Sequence, residues 1–268
     1  MSAAWLKWRV ILVRPRNPLN IGASARAMAN FGFKDLVVVE PYGPVWRETR
    51  SAVGAEEIVR AARATPSLAE AISDRTLVVG TTSGQRRALD RELMSLGDLP
   101  SWVGRRERLT GFKPRAAILF GSEKTGLSNE NLSYCHALVR IPTEPHCPSM
   151  NLGQAVAVCC YELSRLNRKV PGPQGENSRA GGLKDPRERS VRNSARARVS
   201  PPASTHSIEH IFERAARVLD AAGYLKPKSR EAQLLKLRRA LIERRLSSRD
   251  AKILGGLLAQ IEWRLGHP

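Results

Sequence analysis

Three polar clusters of this chain have residue types and spacing that could bind a ligand or act in catalysis. Asn20 and Arg26 lie in a run otherwise made largely of Gly and Ala, and Glu123 lies in the glycine loop Gly121–Ser128. The third cluster is Ser149–Asn151, just before an apolar helical run. Small residues allow close approach of another backbone or of a ligand. Asn20 is predicted to be a helix N-cap. The Arg26 run is equally compatible with a tightly packed helix whose arginine points into solvent.

The glycine loop resembles a phosphate-binding loop without satisfying its pattern. The sequence GSEKTGLS approaches G-x-x-x-x-G-K-[ST], but Leu127 occupies the place of the lysine that must reach the β and γ phosphates. Lys124, inside the loop, cannot replace it at that geometry. No G-x-G-x-x-G follows a predicted strand, so nucleotide triphosphates and dinucleotides are both disfavoured. A plain turn remains open for this loop taken alone.

Metal and hydrolase sites are weakly supported. Cys135-His136 and His146-Cys147 could suggest zinc, but consecutive residues entering a strand point to opposite faces. No G-x-S-x-G is present, and the five histidines are scattered without a paired acid. We therefore expect no metal and no hydrolytic triad.

Alternating strands and helices must position these clusters. A mostly parallel α/β sheet is expected, because apolar strand-like runs alternate with helical patterns. The predicted strands are Trp8–Val13, Leu36–Val39, Leu77–Gly80, Ala117–Phe120 and Ala137–Ile141. The predicted helices are Gly22–Phe31, Glu56–Ala64, Leu68–Ser73, a weaker one near Arg91–Leu96, and one beginning near Asn151.

Composition changes after this helix and predicts three parts. Residues 1–169 form the α/β domain, and residues 170–207 form a flexible basic linker that is too poor in large apolar residues to bury a core. Residues 208–268 form a small helical domain, with one helix stopped by Gly223 and two more at Leu234–Leu246 and Ala251–Leu265.

Charge and apolar content limit the partners and the compartment. The net charge of +19 favours a polyanionic partner, with nucleic acid the natural candidate, although a basic surface that only aids solubility or contacts anionic membranes stays open. Neither a membrane span nor a signal peptide is indicated, so the default is the cytoplasm. The four cysteines are predicted to be reduced thiols.

Taken in order, the three clusters resemble the motifs of a known family. NIGASARAMANFGF after a first strand, LFGSEKTGLS after a late strand and IPTEPHCPSMNLGQAVAV before a helix are similar to those of SPOUT-class RNA 2′-O-ribose methyltransferases of the TrmH/TrmJ type. The resemblance covers residues 8–165. The helical tail also resembles the TrmJ-type arrangement.

The resemblance implies a C-terminal trefoil knot in the α/β domain, a homodimer with sites at its interface, and S-adenosylmethionine as cofactor. It assigns catalytic roles to Arg26, Asn20, Glu123 and Ser149, and RNA contacts to Arg86 and Arg87. The implied cofactor-binding residues are Thr81, Thr82, Ser83, Gly121, Ile141, Ser149, Met150, Asn151 and Leu152.

The implied reaction is 2′-O-methylation of tRNA at cytidine or uridine 32 in the anticodon loop. Arg26 is expected to orient the ribose and stabilise developing alkoxide charge, because a guanidinium is almost never neutral in a protein. Two alternatives are the same reaction on ribosomal RNA and a non-catalytic RNA-binding protein with a knotted fold. The tail is expected to supply RNA affinity more than catalysis. Cys147 departs from the pattern, since many relatives carry an aromatic residue there.

Overall fold

The computed structural model describes residues 8–43, 46–83, 93–165 and 200–266. Within these ranges the strands are β1 Arg9–Val13, β2 Asp35–Val39, β3 Arg63–Thr65, β4 Leu77–Thr81, β5 Leu93–Ser95, β6 Ala116–Phe120 and β7 Ala137–Arg140. The α-helices are α1 Pro18–Asn30, α2 Glu56–Ala61, α3 Leu68–Ile72, α4 Leu99–Thr110, α5 Asn129–Ser133, α6 Leu152–Arg165, α7 Thr205–Ala221, α8 Arg230–Glu243 and α9 Ser248–Gly266.

All seven strands join one sheet in the order β3-β2-β1-β6-β4-β7-β5. Every pairing in this sheet is parallel. Each residue of β1 and β6 is buried, because apolar clusters cover both faces of the sheet and a strand buried on both sides must be apolar throughout. The predicted parallel α/β sheet is confirmed, and so is the helical C-terminal region. The trefoil knot stays a prediction from the family resemblance.

The two edge strands were not predicted. Residues 93–95 form β5, which pairs with β7, so the weak helix predicted near Arg91–Leu96 is wrong. Helix α2 ends at Ala61, and residues 63–65, of which the first two were predicted as helix, form β3 beside β2. Each of these strands is three residues long, which is too short for a strand periodicity to register.

Helix α1 begins earlier than predicted. Asn17 is its N-cap, since its side chain accepts a hydrogen bond from the Leu19 N–H, and Pro18 occupies the first helical position. The prediction of Asn20 as the N-cap is therefore wrong. Asn20 lies one turn inside the helix, and its amide is not needed for capping.

The helical tail packs against the sheet domain. Helix α7 begins at Thr205, inside the segment predicted as linker, while residues 170–199 lie outside the described residues. The backbone N–H and hydroxyl of Thr205 both donate to the Arg75 carbonyl, at 2.8 and 2.9 Å. The division into three domains stays a prediction. No helix of the described residues is long and apolar enough to cross a bilayer.

Arg238 of α8 fastens the tail to α5. Its buried guanidinium lies between the rings of Tyr134 and Phe212, 4.3 and 4.0 Å from their centroids. It also forms two hydrogen bonds to the Glu209 carboxylate, the shorter 2.6 Å, and one of 3.3 Å to the Ser133 hydroxyl. Burial raises the pKa of Tyr134 to about 12, with a further contribution from Glu209. Because α5 follows the glycine loop directly, the tail is anchored next to that loop.

Candidate active site

A cleft of about 530 Å³ opens at the carboxyl ends of β4, β6 and β7. Three loops form it: residues 81–83 after β4, residues 121–127 after β6, and residues 141–152 after β7. In parallel sheets, ligands bind in the crevice beyond the carboxyl ends of the strands. The cleft therefore lies where the fold places a ligand.

The glycine loop is folded tightly back on itself. A Cβ at Gly121 would lie 2.0 Å from the carbonyl carbon of Gly126 and 2.2 Å from the nitrogen of Leu127, so no side chain fits. The Gly126 N–H donates to the Ser122 carbonyl at 2.8 Å, and Gly126 has a φ of +66°, which favours glycine. The buried side chain of Leu127 anchors the loop, in the position where a P-loop would carry lysine.

A hydrogen-bond network joins the three motifs beside this cleft. The Asn20 amide donates to Glu123 Oε1 at 2.7 Å, and the Asn151 amide donates to Asn20 Oδ1 at 3.0 Å. Glu123 also accepts from the backbone N–H of Arg16 at 3.0 Å and, more weakly, from that of Asn17 at 3.4 Å. One carboxylate thus binds the start of α1 to the glycine loop.

Glu123 is held in its ionised form. Partial burial raises the pKa of its carboxyl group, but the hydrogen bonds from Asn20 and from the backbone N–H groups of Arg16 and Asn17 together outweigh burial. The net result is a pKa below the ordinary value for glutamate. Such a carboxylate is a weak proton acceptor and a strong hydrogen-bond acceptor.

Close packing of α1 on α6 sets the geometry of this network. A Cβ at Gly153 would lie 2.8 Å from the Cβ of Ala23, so glycine is required at that contact. The Gly153 N–H also donates to Asn151 Oδ1 at 2.9 Å. Asn151 thereby binds the first turn of α6 through its oxygen and Asn20 through its nitrogen.

Comparison with known protein families shows which family this chain belongs to. A model described as the SpoU rRNA Methylase family matches residues 7–161. The chain belongs to the SpoU methylase family. The match spans all three motifs, so the resemblance seen in the sequence is confirmed.

Similarity to other members of the SpoU methylase family extends into the tail. The chain is 30% identical over 255 residues to the tRNA (cytidine/uridine/adenosine-2'-O-)-methyltransferase TrmJ of Pseudomonas aeruginosa, covering 95% of this chain and 93% of that protein. It is 29% identical over 257 residues to an uncharacterized tRNA/rRNA methyltransferase of Haemophilus influenzae, covering 96% and 95%. The crystal structure of TrmJ from Z. mobilis ZM4 is similar with a TM-score of 0.72 and 27% identity, covering 95% of this chain and 98% of that one.

In this SpoU-family chain, most of the predicted cofactor-binding residues line one cleft. Those that line it are Thr81, Thr82, Ser83, Gly121, Ile141, Ser149, Met150 and Leu152. The exception is Asn151, which is bonded to Asn20 instead of lining the cleft. The structure thus brings residues from three distant segments together, and their role in binding stays a prediction.

The predicted catalytic residues are divided between two places. Glu123 and Ser149 line the cleft, and Asn20 is bonded to Glu123. Arg26 is exposed on α1 and does not line the cleft. Within the described ranges, its guanidinium makes no hydrogen bond or ion pair. Arg86 and Arg87, predicted to contact RNA, lie outside the described residues.

Several lining residues were not predicted from the sequence to bind the cofactor or to act in catalysis. They are Phe120, Ser122, Lys124, Thr125, Gly126, Leu127, Thr143, Pro148 and Ala155. All lie within or beside the three motifs, so motif membership was the available signal. Thr143 has a definite structural role, because its hydroxyl donates to the Pro148 carbonyl at 3.3 Å and closes the loop after β7.

His136 and Cys135, which the sequence suggested as possible zinc ligands, both contact backbone groups of the protein. His136 Nδ1 accepts a hydrogen bond from the Val78 N–H at 3.1 Å, and the buried Cys135 thiol contacts the Asn131 carbonyl at 3.6 Å. Cys147 is exposed outside the cleft lining. In the part of the chain that the structure describes, no group of three or more His, Cys, Asp or Glu residues could hold a metal ion. None of the four cysteines forms a disulfide, and burial raises the pKa of Cys160 to about 12.

Proposed function

We propose that this chain is an S-adenosylmethionine-dependent tRNA 2′-O-methyltransferase acting on cytidine or uridine 32 of the anticodon loop. The observation that carries the proposal is the network in which Glu123, Asn20 and Asn151 join the three motifs beside one cleft. Support also comes from relatives named tRNA 2'-O-methyltransferases whose similarity covers 95% of the chain, tail included. Position 32 rests on the resemblance to TrmJ-type enzymes.

The cleft suits S-adenosylmethionine in size and chemistry. Its volume of about 530 Å³ lies within the range of small-molecule sites, roughly 300–1,000 Å³. Ile141 and Leu152 provide apolar surface, while Thr81 and Ser149 provide hydroxyl groups. The missing Cβ at Gly121 lets the backbone of Gly126 and Leu127 pack against it, and all three residues line the cleft. When bound, the cofactor supplies an electrophilic methyl group.

The chain's own residues contribute positioning and electrostatics. Holding a ribose hydroxyl in line with the methyl group can lower a barrier by roughly 7–11 kcal/mol. The Glu123 network fixes the glycine loop against α1, which holds one wall of the cleft in place. The Arg26 guanidinium orients the ribose and stabilises negative charge developing on its 2′ oxygen.

A second copy of the chain is part of the proposal. Arg26 is exposed and does not line the cleft of its own chain, and we propose that it acts on a ribose in the cleft of a neighbouring subunit. Leu19 and Tyr161, on α1 and α6, are 52% and 50% exposed and offer apolar surface for a homodimer. We also propose the cytoplasm as the compartment, because tRNA is the proposed substrate.

Ribosomal RNA is the second candidate substrate. The family model is named for rRNA, and the Haemophilus influenzae relative is named a tRNA/rRNA methyltransferase. Both substrates offer unstacked loop bases and 2′-hydroxyl groups, which proteins use to recognise RNA. A methylation assay therefore has to distinguish tRNA from rRNA as the substrate.

Methylation assays with purified protein test the proposal. We expect methyl transfer to tRNA, mapped by mass spectrometry to nucleotide 32, and none to the same tRNA carrying a 2′-deoxy nucleotide there. Methylation of rRNA alone would overturn the tRNA assignment. Failure to bind S-adenosylmethionine in calorimetry would leave the non-catalytic RNA-binding alternative.

Arg26 variants test the dimer and the role of this residue. Arg26→Ala is expected to lower turnover at least a hundredfold with cofactor affinity unchanged. Mixed with a Gly121→Leu chain, it should regain activity, because one composite site then has both an intact cleft and an intact arginine. Unchanged turnover in Arg26→Lys and Arg26→Ala would remove Arg26 from the mechanism.

A further inference from the structure

A small cavity lies where the helical tail meets the sheet domain. We name it the seam cavity; it has a volume of about 50 Å³ and is separate from the cofactor cleft. Arg106 of α4 and Thr76 line it from the sheet domain, and Arg245, just after α8, lines it from the tail. Two further polar residues, Thr110 and His136, also line it from the sheet domain. The rest of the lining is apolar: Phe112, Pro114, Pro202, Ala203, Ile208, Leu241, Ile242 and Leu246.

Two like charges share this cavity without a compensating carboxylate. Within the described ranges, neither Arg106 nor Arg245 forms an ion pair. Burial, and after it the positive charge of Arg245, lower the pKa of Arg106 to about 10. With this pKa, Arg106 is charged at neutral pH, and its repulsion from the Arg245 charge would be relieved by an anion between them.

Local geometry holds the two arginines in place. The Arg106 guanidinium lies 4.9 Å from the centroid of the Trp102 ring. Arg245 has a φ of +51°, the left-handed conformation that commonly ends a helix, and it follows the C-terminus of α8. The hydroxyl of Thr76 accepts a hydrogen bond from the Arg115 N–H at 3.0 Å and can donate its own proton to a ligand.

We propose that the seam cavity binds a phosphate group of the RNA backbone between Arg106 and Arg245. This rests on the proposed function, since RNA is the ligand. A water-sized group needs roughly 10–15 Å³, so about 50 Å³ admits three or four phosphate oxygens. Guanidinium groups bind phosphate through paired hydrogen bonds, which are stronger beside apolar surface.

A backbone phosphate fits the cavity better than a free anion because of where the cavity lies. Arg245 is exposed, so the site can be reached from the surface by a polymer. Its two arginines belong to different parts of the chain, and a bound phosphate would join the tail to the sheet domain. RNA lying along both parts would thereby be held against the domain that carries the cofactor cleft.

Equilibrium binding of unmodified tRNA across a salt series tests this site in the full chain. Each lost phosphate contact lowers the slope of log K against log salt by roughly 0.7–0.9, which is about five- to eightfold in affinity at 0.1 M salt. We expect this change for Arg106→Gln/Arg245→Gln. Arg245→Gln alone, at an exposed position, should lower the slope in the same direction and serves where the double variant does not fold.

The matched control is Arg108→Gln/Arg244→Gln. These exposed arginines lie on α4 and just after α8, as do the tested pair, but do not line the cavity. The control removes the same charge and should leave most of the slope intact. An equal loss of slope in both double variants would overturn the proposal, because net charge alone would then explain it.

Two further measurements separate the possible failures. The first is the thermal midpoint of unfolding in inorganic phosphate at constant ionic strength. If phosphate raises this midpoint in the wild type but not in Arg245→Gln, and both bind tRNA equally, the site holds a free anion. The RNA assignment is then wrong. Calorimetry with S-adenosylmethionine should be unchanged in both double variants. If the wild type transfers no methyl group to RNA, the proposed function is wrong. If the variants bind tRNA as the wild type does, only the seam site is wrong.

Discussion

The side-chain amide of Asn20 donates a hydrogen bond of 2.7 Å to Oε1 of Glu123, which lies 103 residues further along the chain. This bond joins the first turn of α1 to the glycine loop. Because Glu123 also accepts from backbone N–H groups, the loop's position depends on one negatively charged side chain.

Replacing Glu123 by glutamine should disturb the cleft without unfolding the protein. The amide cannot accept all the hydrogen bonds that the carboxylate accepts, and bonds to a charged group contribute about 1.5–3 kcal/mol each. We expect kcat/KM for methylation to fall at least tenfold in Glu123→Gln. Glu144→Gln, in the exposed loop after β7, is the control; an equal loss there would show that the effect is not specific to the network.

Adding a single methyl group at Gly121 should disrupt cofactor binding. The new Cβ would lie 2.0 Å from the backbone of Gly126, so the loop must open, at a cost of typically 1–3 kcal/mol. Gly121→Ala should weaken S-adenosylmethionine binding more than tenfold in calorimetry. Gly97→Ala is the control, since nothing lies within 4 Å of a Cβ there. Unaltered affinity in Gly121→Ala would show that the loop does not touch the cofactor.

Removing the Arg238 side chain should release the tail. The side chains of Arg238 and Glu209 are only 9% and 14% exposed, and truncating one partner of a buried pair costs about 3–5 kcal/mol. Hydrogen exchange in α7 and α8 should accelerate in Arg238→Ala, while cofactor binding is retained. Lys236→Ala, exposed on the same helix, is the control. If α8 stays as protected as in the wild type, the Arg238 side chain does not anchor the tail.

Acid should destabilise the fold through Asp74. Partial burial raises the pKa of this carboxyl group, but hydrogen bonds and charges from Arg75 and Arg9 more than offset burial and hold it well below the usual range. Stability from a depressed pKa is present above the unfolded value, about 3.9, and is lost as pH falls towards the folded value. The midpoint temperature of thermal unfolding should therefore fall when the pH is lowered below about 4.

Comparison of two variants across pH isolates this effect. Asp74→Asn should be less stable than wild type at pH 7 and should lose less stability between pH 5 and pH 3, because its partner charges are already unpaired. Asp98→Asn, at an exposed position, should follow the wild-type curve. Parallel curves for Asp74→Asn and the wild type would show that another carboxylate governs acid unfolding.

Sequence patterns predicted the five buried strands but missed two short edge strands and the 12-residue helix α4. The five predicted strands are confirmed because their apolar runs are buried on both faces, as in β1 and β6. Strands β3 and β5 were missed because three residues carry no periodicity, and their pairing depends on neighbours distant in sequence. The correct N-cap could have been predicted from the sequence, since Asn17-Pro18 is the stronger helix-start signal.

Motifs indicated the cleft more completely than the network around it. Gly121 and Ser149 were assigned to the cofactor site through the resemblance to the family's motifs, and the small residues after strand ends agree with that assignment. The bonds from Asn151 to Asn20 and from Asn20 to Glu123 depend on the close contact of α1 with α6, which no local pattern reveals. The Arg238 cluster was likewise invisible, because an arginine on a polar helix is normally exposed.

The bond between Asn151 and Asn20 spans 131 residues, so it cannot form until most of the sheet domain has been synthesised. Contacts between residues far apart in sequence form late, because a long segment must be ordered before they can close. During synthesis, β1 and α1 leave the ribosome long before Leu152 and the rest of α6. A nascent chain that ends before α6 can begin its sheet but lacks the Asn151 contact, so activity must await nearly two thirds of translation.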